Sequence, residues 1–240
     1  MSKHVFNRHE AKYILSKDLY SKFVCEIQNH VALDEYGETI VQSLYYDTPT
    51  NLLIRNSIEK PFYKEKIRVR SYGVATDETK VFLELKKKVD KTVFKRRISL
   101  KHCEIDSFFS SYIAPSENLK PQIFNEIVYF CKFYKNLKPS MLLIYDRTAY
   151  RQEDTDLRIT FDKNVRYRTK NLSLKCEPIG KLLLENGEVL MEIKTTGGYP
   201  RWLLDLLAKY KIYKQSFSKY GTAYKQEFNL KRQEQSEVVQ

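Results

Sequence analysis

Residues able to hold an anion are arranged in rows along this chain. Over residues 62–72, strand alternation puts Lys64, Lys66, Arg68, Arg70 and Tyr72 on one face and Ile67 and Val69 on the other. Like charges lined up on a strand repel one another, and the arrangement makes sense where an anion neutralises them. Arginine forks grip phosphate oxygens bidentately, and lysine acts as a mobile point charge. Carboxylates sit within the same rows: Glu10 beside Lys12, Glu84 beside Lys86, Glu192 beside Lys194. They either balance charge within a cationic sheet or offer oxygen ligands to Mg2+ or Mn2+, hard cations that bridge carboxylate and phosphate.

These rows need strands to carry them. Alternating patterns mark residues 5–14 (Arg8, Glu10 and Lys12 on one face), 40–47, 62–72, 80–88 and 93–100 (with Lys95, Arg96 and Arg97). Further strands are expected over 142–151 (Tyr145, Arg147, Arg151), 156–162 (Asp156, Arg158, Thr160, Asp162) and 188–195 (Glu192, Lys194), about eight in all. Helices are expected after Ser16, around 106–109, over 121–135 and after Pro200, where Leu203, Leu206, Leu207 and Tyr210 share a face. Most strands therefore have an apolar face and an ionic face. An open sheet with a solvated ionic face accounts for this, and so does a closed barrel with the ionic face in its lumen.

Composition narrows the function class. The 42 Lys+Arg outnumber the 30 Asp+Glu, a formal charge of +12 that points to an anionic partner. There is no GxxxxGK[ST] or GxGxxG loop, so phosphate would be held by side chains and not by a glycine cradle. His4, His9, His30 and His102 lack a metal-ligand spacing, and no Ser-His-Asp or Cys-His pattern indicates a covalent nucleophile. Cys25, Cys103, Cys131 and Cys176 form no CxxC pair and read as reduced thiols. No apolar run approaches the ~20 residues of a membrane span. The opening MSKHVFNRHE has no apolar signal core, so a cytoplasmic location is expected. One domain over 1–228 is expected, followed by a disordered tail over 229–240.

Nine motifs occur in order: RHEAKY, SLYYDTP, EKIRVRSYG, VFLELKKK, KRR, YDRTAY, LRITFD, MEIK and SFSKYGTAY. Together they resemble the VTC domain, the polyphosphate polymerase branch of the triphosphate tunnel metalloenzymes, in a bacterial-type, stand-alone form. The resemblance implies an α+β fold: an eight-stranded antiparallel β-barrel with a basic lumen, covered by helices. It also implies a transferase that moves the γ-phosphate of ATP onto inorganic polyphosphate with Mn2+ or Mg2+ as cofactor, with no nucleic acid as partner.

Carried over by motif, Lys12, Arg68, Arg70, Lys86, Tyr145, Arg147, Arg158, Lys194, Ser218 and Lys219 would bind substrate. Arg68, Arg70, Lys86, Arg147, Arg158 and Lys219 would act in catalysis, and Glu192 would bind the metal. Ser216 departs from the pattern, because eukaryotic relatives carry lysine there. A triphosphatase in the same tunnel and a non-enzymatic binder of polyphosphate or nucleic acid are the competing readings.

Overall fold

The computed structural model describes residues 9–90, 92–115 and 120–237, with side chains described as far as residue 229. Arg8 and the start of the first expected strand lie outside the described residues. So do positions 238–240 and the side chains of 230–240 in the expected tail. The strands are β1 (His9–Leu15), β2 (Ala32–Asp47), β3 (Tyr63–Tyr72), β4 (Lys80–Val89), β5 (Thr92–Lys101), β6 (Lys138–Arg151), β7 (Arg158–Arg168), β8 (Lys181–Leu182) and β9 (Val189–Thr195). The helices are α1 (Lys17–Ile27), α2 (Leu52–Ile58), α3 (Ile105–Ser111), α4 (Pro121–Tyr134), α5 (Arg201–Lys209) and α6 (Lys219–Glu237).

The strands form one mostly antiparallel nine-stranded sheet in the order β1-β9-β7-β6-β2-β3-β4-β5, with β8 against β7. This corrects the expected eight-stranded closed barrel in two ways. There is a ninth strand, and among the described residues the pairing path ends at β1 and β5 without joining them. The extra strand, β8, is two residues long, too short to show an alternation.

By contacts the chain divides into two compact units. The first comprises Met1–Ile40, Tyr145–Arg166 and Leu182–Ser218; the second comprises Val41–Ile144, Tyr167–Lys181 and Lys219–Gln240. In the first unit the apolar faces of β1, β7 and β9 (Tyr13, Leu15, Ile159, Phe161, Met191, Ile193) pack against Phe23 and Ile27 of α1 and Leu203 of α5. Ser16 caps α1 by accepting from the Leu19 amide at 3.3 Å. In the second unit Ile67, Val69, Leu83, Leu85 and Ile98 are buried on the apolar side of β3, β4 and β5. Arg96 of β5 is tied to Glu126 of α4 at 2.7 Å.

The alternation rule thus holds on both units, with helices over the apolar faces. The ionic faces are not ordinary water-washed surfaces: Asp162 is 0%, Glu84 2% and Glu192 5% exposed.

Helix α2 escapes a sequence reading because its cap comes from the strand before it. Asp47 accepts from the amides of Thr48 at 2.8 Å, Leu53 at 2.9 Å and Ile54 at 3.0 Å, and from the Tyr220 hydroxyl at 3.0 Å. Burial raises the Asp47 carboxyl above its usual range despite these donors, and burial also pushes the Tyr220 phenol up. Replacing Asp47 by alanine is expected to cost about 2–3 kcal/mol, from lost capping plus a stranded tyrosine hydroxyl. Chemical denaturation of Asp47→Ala measures this.

Candidate functional site

Each unit carries its own ionic cluster. In the second unit the cluster follows from strand register. Arg68 pairs across β3–β4 with Glu84, and Glu84 pairs across β4–β5 with Arg97. The Glu84 carboxylate therefore lies between cations from both neighbouring strands. Arg68 reaches it at 2.7 Å through Nη2 and 2.9 Å through Nε; Lys95 reaches it at 2.7 Å, Arg97 at 3.2 Å and Arg70 at 3.9 Å.

Burial alone would raise the Glu84 carboxyl, but the charges of Arg68, Arg70 and Lys95 overcome burial and hold it well below the usual carboxylate range. Lys95 is lowered by the same burial, partly offset by Glu84. Tyr45 and Ser43 of β2 complete the positioning: Arg68 Nη1 donates to the Tyr45 hydroxyl at 2.9 Å and Arg70 Nε to Ser43 Oγ at 3.3 Å. Arg97 lies 3.7 Å from the centre of the Phe82 ring. Lys86 is exposed one row away, facing Lys66 on β3 and Lys95 on β5. Lys219 opens α6.

In the first unit β1 and β9 pair Lys12 with Glu192 and Glu10 with Lys194. The side chains close a ring of alternating charge. Lys12 is 3.4 Å from Glu10 and 3.6 Å from Glu192, while Lys194 is 2.9 Å from Glu192 and 3.8 Å from Glu10. The segment before α6 lies along this strand, since the Gln215 amide donates to the Lys12 carbonyl and Lys12 Nζ donates to the Phe217 carbonyl. Ser216 is thus flanked by residues bound to Lys12; Ser216 and Ser218 are both exposed.

Arg147 of β6 adds a bidentate pair with Asp162 of β7, at 2.6 and 2.7 Å, and stands 3.7 Å from Glu192. Burial opposes the Arg147 charge, yet Asp162, Tyr145 and Glu192 raise its pKa well above normal. The Arg147 guanidinium lies 5.0 Å from the centre of the Tyr145 ring. Arg158 is placed differently, with its Nη2 3.0 Å from Asp34 of β2, which Arg151 also approaches at 3.3 Å.

Among the described residues no three His, Cys, Asp or Glu side chains converge as a ready-made cage. Glu192 and Glu10 offer hard oxygens, and a cation bound through one or two carboxylates completes its shell with phosphate oxygens and water. Thr160 lies opposite Glu192 in the β7–β9 register, is 1% exposed, and its hydroxyl has no hydrogen-bond partner among the described residues. An orphaned hydroxyl beside a carboxylate suits a hydrated cation or a phosphate oxygen. The residues fit.

Sequence reasoning left Glu84 open between charge balance and metal ligation, and named Lys95, Arg97 and Asp162 as members of ionic faces without giving them a site role. It had no view of Asp34 or Tyr45. Parity places a residue on a face; only register shows which opposite charge it meets.

A family model for the VTC domain matches residues 7–228. The chain belongs to the VTC domain family. That membership places it among the polyphosphate-related, triphosphate-tunnel proteins. The fold of this VTC domain resembles a Bacillus halodurans "putative adenylate cyclase" at TM-score 0.53 and 14% identity, over 87% of this chain and 92% of the other. The PH1819 protein of Pyrococcus horikoshii aligns at TM-score 0.46 and 13% identity, over 91% and 99% of the two chains. None of the curated proteins searched matches this VTC domain. No helix among its described residues is long and apolar enough to cross a membrane.

Proposed function

We propose that this protein is a metal-dependent polyphosphate polymerase that transfers the γ-phosphate of ATP to a growing inorganic polyphosphate chain and releases ADP. The observation that carries the reading is the arrangement around Glu192, where a buried carboxylate lies within 3.7 Å of Arg147, Lys12 and Lys194. Phosphoryl transfer needs in-line positioning and neutralised charge more than covalent help. The terminal oxygen of polyphosphate, already ionised, attacks the γ-phosphorus. The bond to the β–γ bridging oxygen breaks, and that oxygen leaves on ADP, so no general base is required.

Arg147, Arg158, Lys12 and Lys194 hold phosphate oxygens in the first unit, with Tyr145 fixing Arg147 and Ser218 donating a hydroxyl. Arg68, Arg70, Lys86 and Lys219 hold phosphate oxygens in the second. Glu192, with Glu10, would hold Mn2+ or Mg2+, which supplies positive charge to phosphate oxygens when bound.

Incubation with γ-labelled ATP and Mn2+ tests the proposal. A product ladder removed by exopolyphosphatase is expected. Free phosphate alone would make the protein a triphosphatase. Unchanged ATP would leave a binding protein. Glu192→Gln is expected to weaken metal activation about 10- to 100-fold, seen as a higher Mn2+ concentration for half-maximal rate. Full activity at unchanged Mn2+ would sink the metal assignment.

A further inference from the structure

The ionic row of β3 does not end on a cation. Lys64, Lys66, Arg68 and Arg70 are followed on the same face by Tyr72, the last residue of the strand. The Tyr72 side chain is 46% exposed, whereas Tyr45 and Tyr145, the tyrosines beside Arg68 and Arg147, are 8% and 2% exposed. A single exposed aromatic residue is ordinary. This one is held firmly in place beside Arg70.

The side chain is fixed from β4 and β5. Arg97 Nη2 donates to the Tyr72 hydroxyl at 3.5 Å. Phe82, directly opposite Arg70 in the β3–β4 register, meets the Tyr72 ring edge to face, with centroids 5.9 Å apart and planes at 74°. The Arg97 guanidinium in turn lies over the Phe82 ring. Burial would raise the Tyr72 phenol, but the charges of Arg70 and Arg97 bring it below its usual range.

The backbone is fixed as well. Gly73, at φ +78°, turns the chain out of the strand in a conformation that glycine adopts freely. Its carbonyl accepts from Ser71 Oγ at 2.7 Å and from Gln42 Nε2 at 3.0 Å. All of these residues belong to the second unit.

We propose that Tyr72, backed by Phe82 and Arg97, is a stacking platform for the adenine of an ATP whose phosphates are held by Arg68 and Arg70. The choice of nucleotide rests on the polymerase reading. Strand rise puts Tyr72 about 7 Å beyond Arg70, so a triphosphate on the arginines has its nucleoside within reach of the ring. Inorganic polyphosphate is charged along its whole length and gains nothing from a ring at the end of a cationic row. A nucleotide is charged at one end and flat at the other, and gains from both. A ring already held by its neighbours has little rotamer freedom left to lose on stacking.

The test compares Tyr72→Phe with Tyr72→Ser. Both lack the phenol oxygen, so the ring is what separates them. Titration calorimetry with Mn2+ measures binding of β,γ-imido-ATP, which does not give up its γ-phosphate, and of tripolyphosphate. The serine variant is expected to bind the ATP analogue about ten-fold more weakly than the phenylalanine variant, and tripolyphosphate equally well. Equal affinity of the two variants for the analogue overturns the platform. An equal loss for both ligands also overturns it, since the ring would then support the arginines and not the base. So does a wild-type protein that binds neither ligand. The two readings fail separately. A protein that makes no polyphosphate from ATP, with the difference between the variants intact, defeats the polymerase reading and leaves the platform standing. A protein that makes polyphosphate while the two variants bind the analogue alike defeats the platform alone.

Discussion

Glu84→Gln should destabilise this protein by about 3–5 kcal/mol, the usual consequence of removing one partner from a buried ionic cluster. For a chain of this size that is a fall in Tm of about 10 °C. Glutamine keeps the shape and removes only the charge, so packing is unaltered. What remains is Arg68, Arg70, Lys95 and Arg97 around a neutral amide, all of them now within 2.7–3.9 Å of the place a charge occupied.

The same logic predicts rescue. Tripolyphosphate should raise the Tm of Glu84→Gln more than that of wild type, because the anion replaces the missing counter-charge as well as filling its own site. Equal shifts in the two proteins would show that the cluster does not take phosphate.

The pH dependence has a definite sign. A carboxyl with a depressed folded pKa contributes stability that is complete above its unfolded value, about 4.3, and is lost as pH falls through the folded value. Wild type should therefore keep its whole advantage over Glu84→Gln from pH 7 down to about 5, and lose it progressively below about 4.3. Denaturant midpoints across that range check this.

Arg147→Met should cost a similar amount, about 3–5 kcal/mol, for the complementary reason. Asp162 is fully buried and accepts two charge-assisted hydrogen bonds from Arg147. Removing the guanidinium takes two charged donors from a carboxylate held away from water. Arg147→Met/Asp162→Leu should then recover most of the loss, because a hydrophobic pair of similar volume carries no desolvation penalty. The double-mutant cycle separates structure from function, since the recovered protein would still lack the Arg147 cation and should remain inactive in the ATP assay. Arg147→Lys should not substitute, because an ammonium cannot make the two-pronged contact. An additive cycle would mean that Arg147 and Asp162 do not act as a pair.

The sequence made the ionic faces legible because strand period is rigid. Glu10, Lys12, Glu84, Lys86, Glu192 and Lys194 could be put on the correct side of their strands by counting in twos. It could not show that Glu84 serves β3 and β5 at once, because that depends on which residue of a distant strand lies opposite. Asp34 was invisible for a different reason. The first half of β2, Ala32–Glu38, is rich in Asp, Glu and Gly, which have low strand propensity, and it becomes a strand through its neighbours. Arg158 accordingly meets a carboxylate that no strand had been expected to supply. Helix α6 was missed because its apolar residues, Tyr220, Ala223, Tyr224 and Phe228, are thinly spread through a polar segment.

The ring made by Lys12, Glu10, Lys194 and Glu192 makes binding conditional. Each charge already has at least two opposite neighbours, and Glu192 has a third in Arg147. A cation drawn to the glutamates leaves the lysines unbalanced, and an anion drawn to the lysines leaves the glutamates unbalanced. Arriving together, the two ligands exchange partner for partner. On the proposed function such a ring would work as a coincidence detector: a divalent cation and a phosphate would each raise the other's affinity, by the same factor in both directions.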